Sequence, residues 1–182
     1  GNMRSYTVDE WVAQMDELTT LIGDLTELAR DTPQVRNAEL IELSNVVEDA
    51  VMKVRRRAPG LEWDVQLTPF PVWGDERLLG RAVTNLLDNA AKWSPPDGQV
   101  ELSVRDGEVV VRDHGPGIDD ADLPYVFDRF YRASSARGMP GSGLGLAIVR
   151  QVAESHGGQV VAEPADGGGT RMVLRLNGRK VS

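Results

Sequence analysis

The chain of 182 residues contains no cysteine. That excludes disulfides, thiolate catalysis and cysteine-bound metal, and it fits a reducing compartment. Aromatic residues are scarce, at 5%. No apolar run approaches the roughly 20 residues that a helix needs to cross a bilayer, and no signal-peptide pattern is visible. Positive charge is in deficit: 20 Lys and Arg face 28 Asp and Glu, for a formal net charge of −8. This argues against a general nucleic-acid or anionic-membrane surface. A polyanion bound here needs a local basic group or a metal ion. The one basic run, Arg55 to Arg57, falls where a helix is expected to end, and cations there suit the helix dipole. What is present is a hydrophobic content of 41%, enough for a packed core. The length suits one domain of about 100–200 residues plus an appendage. The opening "GNM" reads as a cloning remnant before an internal start, so a fragment is expected.

Residues 8 to 30 are predicted as a helix. Trp11, Met15, Leu18, Ile22, Leu25 and Ala29 alternate spacings of four and three, a heptad seam. Leu21 and Leu28 widen the seam, which suits a bundle better than a two-stranded coil. Pro33 marks a linker, and no second helix of this kind follows, so the helix is expected to dimerise or to come from a helical hairpin. Beyond it, "ELIEL" reads as a short strand and Ser44 as the cap of a helix running to about Arg57. "LEWDVQL" and "PVWG" read as strands. Asp75 caps a helix that stops at "SPPDG", and "QVELSVRDGEVVVRD" is a hairpin about Asp106 and Gly107. An irregular stretch then runs from His114 to about Ser142. Its middle, "LPYVFDRFYRA", supplies a short helix with Phe127 and Phe130 as anchors. "LGLAIVRQVAESH" is a helix stopped by Gly157 and Gly158, and "QVVAEP" and "TRMVLRL" form a last hairpin. The fold class is therefore α/β (α+β), a two-layer sandwich with a mixed sheet covered by helices on one face and a bundle-type helix ahead of it.

Three constellations bear on chemistry. In "TNLLDNAAKW", Asn85, Asp88, Asn89 and Lys92 share one helix face, beside an apolar face of Leu79, Val83, Leu86 and Ala90. The stripe reads either as the wet side of a half-buried helix or as a ligand surface. Asn and Asp are poorer helix formers than the Glu, Lys or Gln usual on a solvated face. Their oxygens suit a hard cation such as Mg²⁺, with Lys92 as an anion partner. In "RDHGPGID", Asp113 ends a strand, and Gly115 and Gly117 allow the backbone close past a bound group. The motif is either a plain strand-end turn or a carboxylate placed to accept from an exocyclic amine, as adenine offers. In "GSGLGLAIVR", Gly141, Gly143 and Gly145 precede a helix whose free N–H groups suit phosphate. A flexible hinge is the other reading. The loop is neither a Walker A sequence nor a dinucleotide fingerprint.

The order of these motifs carries a resemblance. "NLLDNAAKW", "DHGPG", "FDRFYR" and "GSGLGLAIV" resemble the N, G1, F and G2 boxes of the bacterial sensor histidine kinase ATP-binding domain, of the Bergerat or GHKL type. The match spans about residues 38 to 177. "DELTTLIGDLTELAR" resembles the second helix of that family's dimerisation and phosphoacceptor hairpin, and "NLLDNAAKWSPP" and "SGLGLAIV" are similar to its actinobacterial members. The resemblance divides the chain into residues 1–32, the hairpin remnant and linker, and residues 33–182, the catalytic ATP-binding domain.

The resemblance implies ATP held between the polar-stripe helix and a lid. Asn89 is then the Mg²⁺ ligand and Asn85 its neighbour toward the phosphates. Lys92 reaches the phosphates, Trp93 lies against the nucleotide, and Asp113 accepts the adenine amine above the turn of Gly115 and Gly117. Arg132 approaches the γ-phosphate, Gly141, Gly143, Leu144 and Gly145 form the phosphate-side hinge, and Thr170 sits near an adenine-bound water. Gyrase- and Hsp90-like relatives carry a glutamate at the position of Asn85. An amide has no basic lone pair at neutral pH, so this site suits holding ATP for transfer rather than hydrolysing it. The acceptor segment of the family is absent: the two histidines are His114, in the G1 turn, and His156, beside the helix stop. Both read as structural, with His156 suited to its helix C-terminus by the dipole. The expected function is transfer of the γ-phosphate of Mg-ATP to a histidine outside this chain, with relay to a response-regulator aspartate, in a homodimeric, membrane-anchored parent whose kinase part is cytoplasmic. No nucleic-acid partner is expected. The alternatives are a serine kinase of the anti-sigma type and a catalytically silent nucleotide-binding adaptor.

Overall fold

The computed structural model describes residues 7–29, 35, 37–131 and 144–177. The chain runs α1 (Val8–Ala29), β1 (Glu39–Glu42), α2 (Leu43–Arg57), β2 (Glu62–Leu67), β3 (Pro71–Gly74), α3 (Glu76–Trp93), β4 (Gln99–Arg105) and β5 (Glu108–Asp113). A 3₁₀ turn at Leu123–Tyr125, α4 (Gly145–Ser155), β6 (Gln159–Pro164) and β7 (Thr170–Arg175) follow. Five strands form a sheet in the order β2-β4-β5-β7-β6, and β1 pairs with β3 in a separate ribbon. Only the β2–β4 pairing in the large sheet is parallel. The expected mixed sheet is thus present, with α2, α3 and α4 on one face.

Strict alternation produces that face. Val100, Leu102 and Val104 of β4 stand opposite Asp113, Val111 and Val109 of β5, and all six are buried. The intervening Glu101, Ser103, Val110 and Arg112 are half-buried, polar apart from Val110, as period-2 patterning gives in a sheet covered on one side. The helices answer with apolar stripes. α3 buries Leu78, Leu79, Ala82, Val83, Leu86, Leu87 and Ala90, and each large side chain among them contributes about 1.5–3 kcal/mol by leaving water. Asp75 caps α3 as expected, its Oδ1 accepting from the N–H groups of Arg77 (3.0 Å) and Leu78 (3.3 Å). The β4–β5 turn is also as expected, with Asp106 and Gly107 at φ 51° and 80°.

Three local expectations change. Glu42, not Ser44, caps α2: its Oε1 accepts from the Ser44 N–H and hydroxyl and, at 2.6 Å, from the Phe70 N–H. That last bond, ahead of the others, pulls the Glu42 carboxyl below its ordinary pKa. Ser44 lies in the first turn, its hydroxyl spent on the true cap. Of the two anchors expected in "VFDRF", Phe127 is buried, but Phe130 is 57% exposed. Its φ of 62° turns it outward, and Val126 takes the second apolar place. An ion pair from Arg150 of α4 to Asp128, 3.1 Å, fastens this stretch.

The third change concerns α1. Its seam is bare, with Trp11 at 56% and Ile22 at 63% exposure. Its last turns nevertheless touch the sandwich. Leu28 is buried, and its carbonyl accepts from Arg129 at 3.3 Å. Asp24, with a side chain 8% exposed, pairs with Arg81 of α3 at 2.8 Å. Heptad counting did not anticipate this grip, because it comes from a polar position inside an apolar repeat. Among the described residues, no helix is long and apolar enough to cross a membrane.

Candidate functional site

The candidate residues converge where the C-terminal half of α3, the end of β5 and the start of β7 meet. Asp113 is 3% exposed. Its Oδ1 accepts from the Gly115 N–H at 2.9 Å and the Thr170 N–H at 3.3 Å. Its Oδ2 has no partner among the described residues. Burial pushes the Asp113 pKa up, against the lowering effect first of those two N–H groups and then of His114 and Arg112. A half-satisfied, desolvated carboxylate is a strong acceptor for a donor brought to Oδ2.

Gly115 is fixed by crowding: a Cβ there would collide with the Trp93 carbonyl oxygen and press on Asp113 Oδ1. The turn therefore packs against the end of α3, which joins Trp93 to Asp113. Gly117 has φ 80° and faces Gly169, in the turn that leads into Thr170. Thr170 is buried and joins the site through its backbone. Gly169 did not stand out in the sequence, where the run "GGG" reads only as a turn. Its signal was its place directly before Thr170.

On α3 the polar stripe divides. Asn85 donates from Nδ2 to the Gly145 carbonyl at 3.2 Å, tying α3 to the first turn of α4. Asn89, half-buried, has no hydrogen-bond partner among the described residues. The Lys92 ammonium lies 5.8 Å from the centroid of the half-buried Trp93 ring. Asp88 leaves the group and pairs with Arg57 of α2 at 3.0 Å. Burial raises its pKa, opposed by that guanidinium. Asp88 is thus drawn off by Arg57 toward α2.

Leu144 is buried in the core, so its side chain is withheld from any ligand. It supplies no side-chain cap to α4, and the first turn of a helix is the kind of place that binds an anion. Gly145 follows it, and no described residue stands where its Cβ would be. Arg132, Gly141 and Gly143 lie outside the described residues.

Both histidines have structural partners. His114 Nε2 lies 3.0 Å from Glu101 Oε2. His156 is buried, accepting at Nε2 from the Asp75 N–H at 3.1 Å and donating from Nδ1 to the Val152 carbonyl at 2.8 Å. Burial, ahead of these contacts, depresses its pKa. The helix-dipole argument for a charged His156 is therefore overturned: the ring is held neutral, locking α4 to the cap of α3.

The profile of the histidine kinase-, DNA gyrase B- and HSP90-like ATPase family matches residues 74–180, from the end of β3 through β7. The chain belongs to that family. Within it the similarity lies with sensor kinases. The chain is 49% identical over 164 residues, 87% of its length, to the signal transduction histidine-protein kinase/phosphatase MprB of Mycolicibacterium vanbaalenii. It spans about a third of that relative, 34%. A solved mycobacterial sensor histidine kinase MprB superposes with a TM-score of 0.73 at 45% identity, covering 79% of this chain and all of that one. The ATP-binding domain of PrrB from Mycobacterium tuberculosis superposes at 0.61 with 29% identity, over 79% of this chain and 99% of that one. The resemblance read from the four boxes is confirmed at the level of family and fold, and ATP binding follows from membership.

Proposed function

We propose that this chain is the ATP-binding catalytic part of a two-component sensor kinase, transferring the γ-phosphate of Mg-ATP to a histidine outside the chain. The observation that carries the reading is Asp113, a buried carboxylate with Oδ1 filled by two N–H groups and Oδ2 without a partner among the described residues. Adenine offers the exocyclic amine that such an oxygen accepts. Trp93 lies beside the base, and Gly115 and Gly117 let the backbone pass beneath it. Thr170 fixes Asp113 through its N–H and borders the adenine-bound water that the family resemblance implies.

At the phosphate end, Lys92 and the first turn of α4 meet the negative charge, and the family resemblance implies Arg132 as a further cation and Gly141 and Gly143 as the hinge. Asn89 fits a Mg²⁺ ion by its chemistry, as a half-buried amide oxygen with no partner among the described residues. No cluster of three His, Asp or Glu capable of holding a metal occurs among the described residues, which suits an ion that takes its other oxygens from phosphates and water. When bound, the ion neutralises phosphate oxygens. Asn85 orients α3 against α4 and, as an amide, takes no proton from water, so phosphoryl transfer here rests on positioning and charge.

Residues 1–32 would belong to the dimerisation and phosphoacceptor hairpin and residues 33–182 to the catalytic domain. The parent would be a homodimeric sensor anchored in the cell membrane, with this part in the cytoplasm and a response regulator as its next partner. The anti-sigma-type serine kinase and the silent adaptor have no observation of their own in their favour, and the bare seam of α1 suits a bundle. The test is transfer from γ-labelled ATP to a separately supplied helical hairpin bearing the acceptor histidine. Label on the hairpin and none on this chain is expected. Tight nucleotide binding without transfer to any hairpin would refute the kinase reading, and label on His114 or His156 would refute the assignment of the acceptor.

A further inference from the structure

The turn that delivers Thr170 to Asp113 has little to hold it by itself. Gly167, Gly168 and Gly169 all have positive φ, at 84°, 106° and 87°. Three consecutive glycines lose more conformational entropy on ordering than any other triplet. Internal bonds are few: Gly168 N–H to Ala165 O at 3.1 Å and Ala165 N–H to Gly169 O at 3.2 Å. Yet the turn must be placed tightly. A Cβ on Gly169 would overlap the Asp113 carbonyl oxygen, and the next residue gives Asp113 Oδ1 its second N–H.

The missing restraint comes through the sheet. Arg112 precedes Asp113 on β5, so its side chain emerges on the opposite, uncovered face. There its Nη2 donates to the Asp166 carbonyl at 2.6 Å and the Gly168 carbonyl at 3.2 Å. Its Nη1 lies 3.3 Å from Glu101 Oε2, across the β4–β5 ladder. The side chain is 24% exposed, and its buried Nε is left without a partner. The guanidinium is thus aimed by the two carbonyls and Glu101, with Nε–H left unpaired among the described residues. Arg171, directly opposite on β7, pairs instead with Glu163 at 2.8 Å.

We propose that Arg112 is a positioning residue for base selection: by gripping the Asp166 and Gly168 carbonyls it sets the glycine turn, and through Gly169 and the Thr170 N–H it aims the Asp113 carboxylate. The inference rests on the nucleotide reading above. It adds a specificity element on the face of the sheet remote from the ligand. A correctly aimed Oδ2 accepts from the amine of adenine and repels the 6-oxo group of guanine. A loosened turn lets Asp113 rotate and weakens both effects.

The test measures calorimetric Kd values for Mg-ATP and Mg-GTP with the 182-residue chain and its Arg112→Gln, Arg112→Lys and Arg171→Gln variants, with exchange of the Thr170 amide followed by NMR. Arg112→Gln should weaken ATP binding about 5- to 20-fold and leave GTP binding unchanged or slightly tighter, as misaligning one hydrogen bond to a charged group and relieving one repulsion require. Arg112→Lys keeps the charge but cannot span both carbonyls. It should lose about two- to fivefold in the ATP-to-GTP ratio and speed Thr170 exchange. Arg171→Gln, on the same face without a bond to the turn, should leave the ratio unchanged. An unaltered ratio and unaltered Thr170 exchange in Arg112→Lys would overturn the proposal, even if Arg112→Gln fails to fold. Equal narrowing in Arg171→Gln would also overturn it, by tracing the effect to the sheet face at large. Wild-type chain that binds neither nucleotide would remove the nucleotide reading itself and this inference with it.

Discussion

Replacing Asp113 by Asn should separate stability from binding, and in opposite directions. The carboxylate sits at 3% exposure with its pKa raised by burial. As pH rises past about 3.9, the unfolded chain ionises at this position while the folded chain still holds its proton. Stability therefore falls until the folded group ionises too, and at pH 7.5 the fold carries a desolvated charge. Asn keeps an oxygen for the N–H groups of Gly115 and Thr170 at 2.9 and 3.3 Å. Making those two bonds neutral costs about 1 kcal/mol each. Removing a buried charge returns several kcal/mol. The direction of the pKa shift says that desolvation outweighs the bonds, so Asp113→Asn should gain about 1 kcal/mol at pH 7.5, a typical size for relieving a strained functional site. The gain should shrink toward pH 4. Nucleotide affinity should move the other way. With its oxygen facing the two N–H groups, the amide presents NH₂ where Oδ2 stood, donor against the donor of adenine. Loss of a charge-assisted bond of about 1.5–3 kcal/mol is about a 10- to 150-fold weaker Kd. Urea unfolding at pH 7.5 and 4.5, with titration calorimetry for Mg-ATP, measures both. A variant less stable than wild type at pH 7.5, or one that binds ATP unchanged, would refute the assignment.

His156 supplies a pH signature. Because its folded pKa is depressed, the unfolded chain takes up a proton first as pH falls below about 6.5, and stability drops by up to about 1.4 kcal/mol per pH unit. His156→Gln should abolish that slope between pH 6.5 and 5.5 in urea unfolding. The carboxylates with raised pKa values remain in both chains, so an unchanged slope would place the proton elsewhere. The grip on α1 is measurable by a double-mutant cycle of Asp24→Asn with Arg81→Gln. The 2.8 Å pair with one partner nearly buried should show a coupling of about 1–3 kcal/mol, and additive effects would exclude it.

The sandwich was legible because its signals are local. Alternation in "QVELSVRDGEVVVRD" assigns β4 and β5, Asp75 marks the start of α3, and Gly157 the end of α4. The Asp113 turn was legible too, since strand, carboxylate and glycines are adjacent in sequence. What escaped depends on partners far along the chain. Glu42 outcompetes Ser44 as a cap only because Phe70 brings a third donor. Asp88 leaves the stripe because Arg57 ends a neighbouring helix. The neutral state of His156 follows from burial that no periodicity reports. Arg112 escaped because an arginine on the polar side of a strand is indistinguishable, in sequence, from an ordinary solvated one.

α1 is held at one end and solvent-exposed along most of its seam. From Asp24 back to Trp11 the helix extends about 20 Å, so a tilt of about 10° at the Asp24–Arg81 anchor would sweep Trp11 through about 3.4 Å. A gap of about 0.5–1 Å already forfeits a quarter to a half of a dispersion contact. The helix is a lever with its fulcrum on the sandwich: whatever packs along the seam must accommodate the angle set there by contacts that include the Asp24–Arg81 pair and the Leu28 carbonyl.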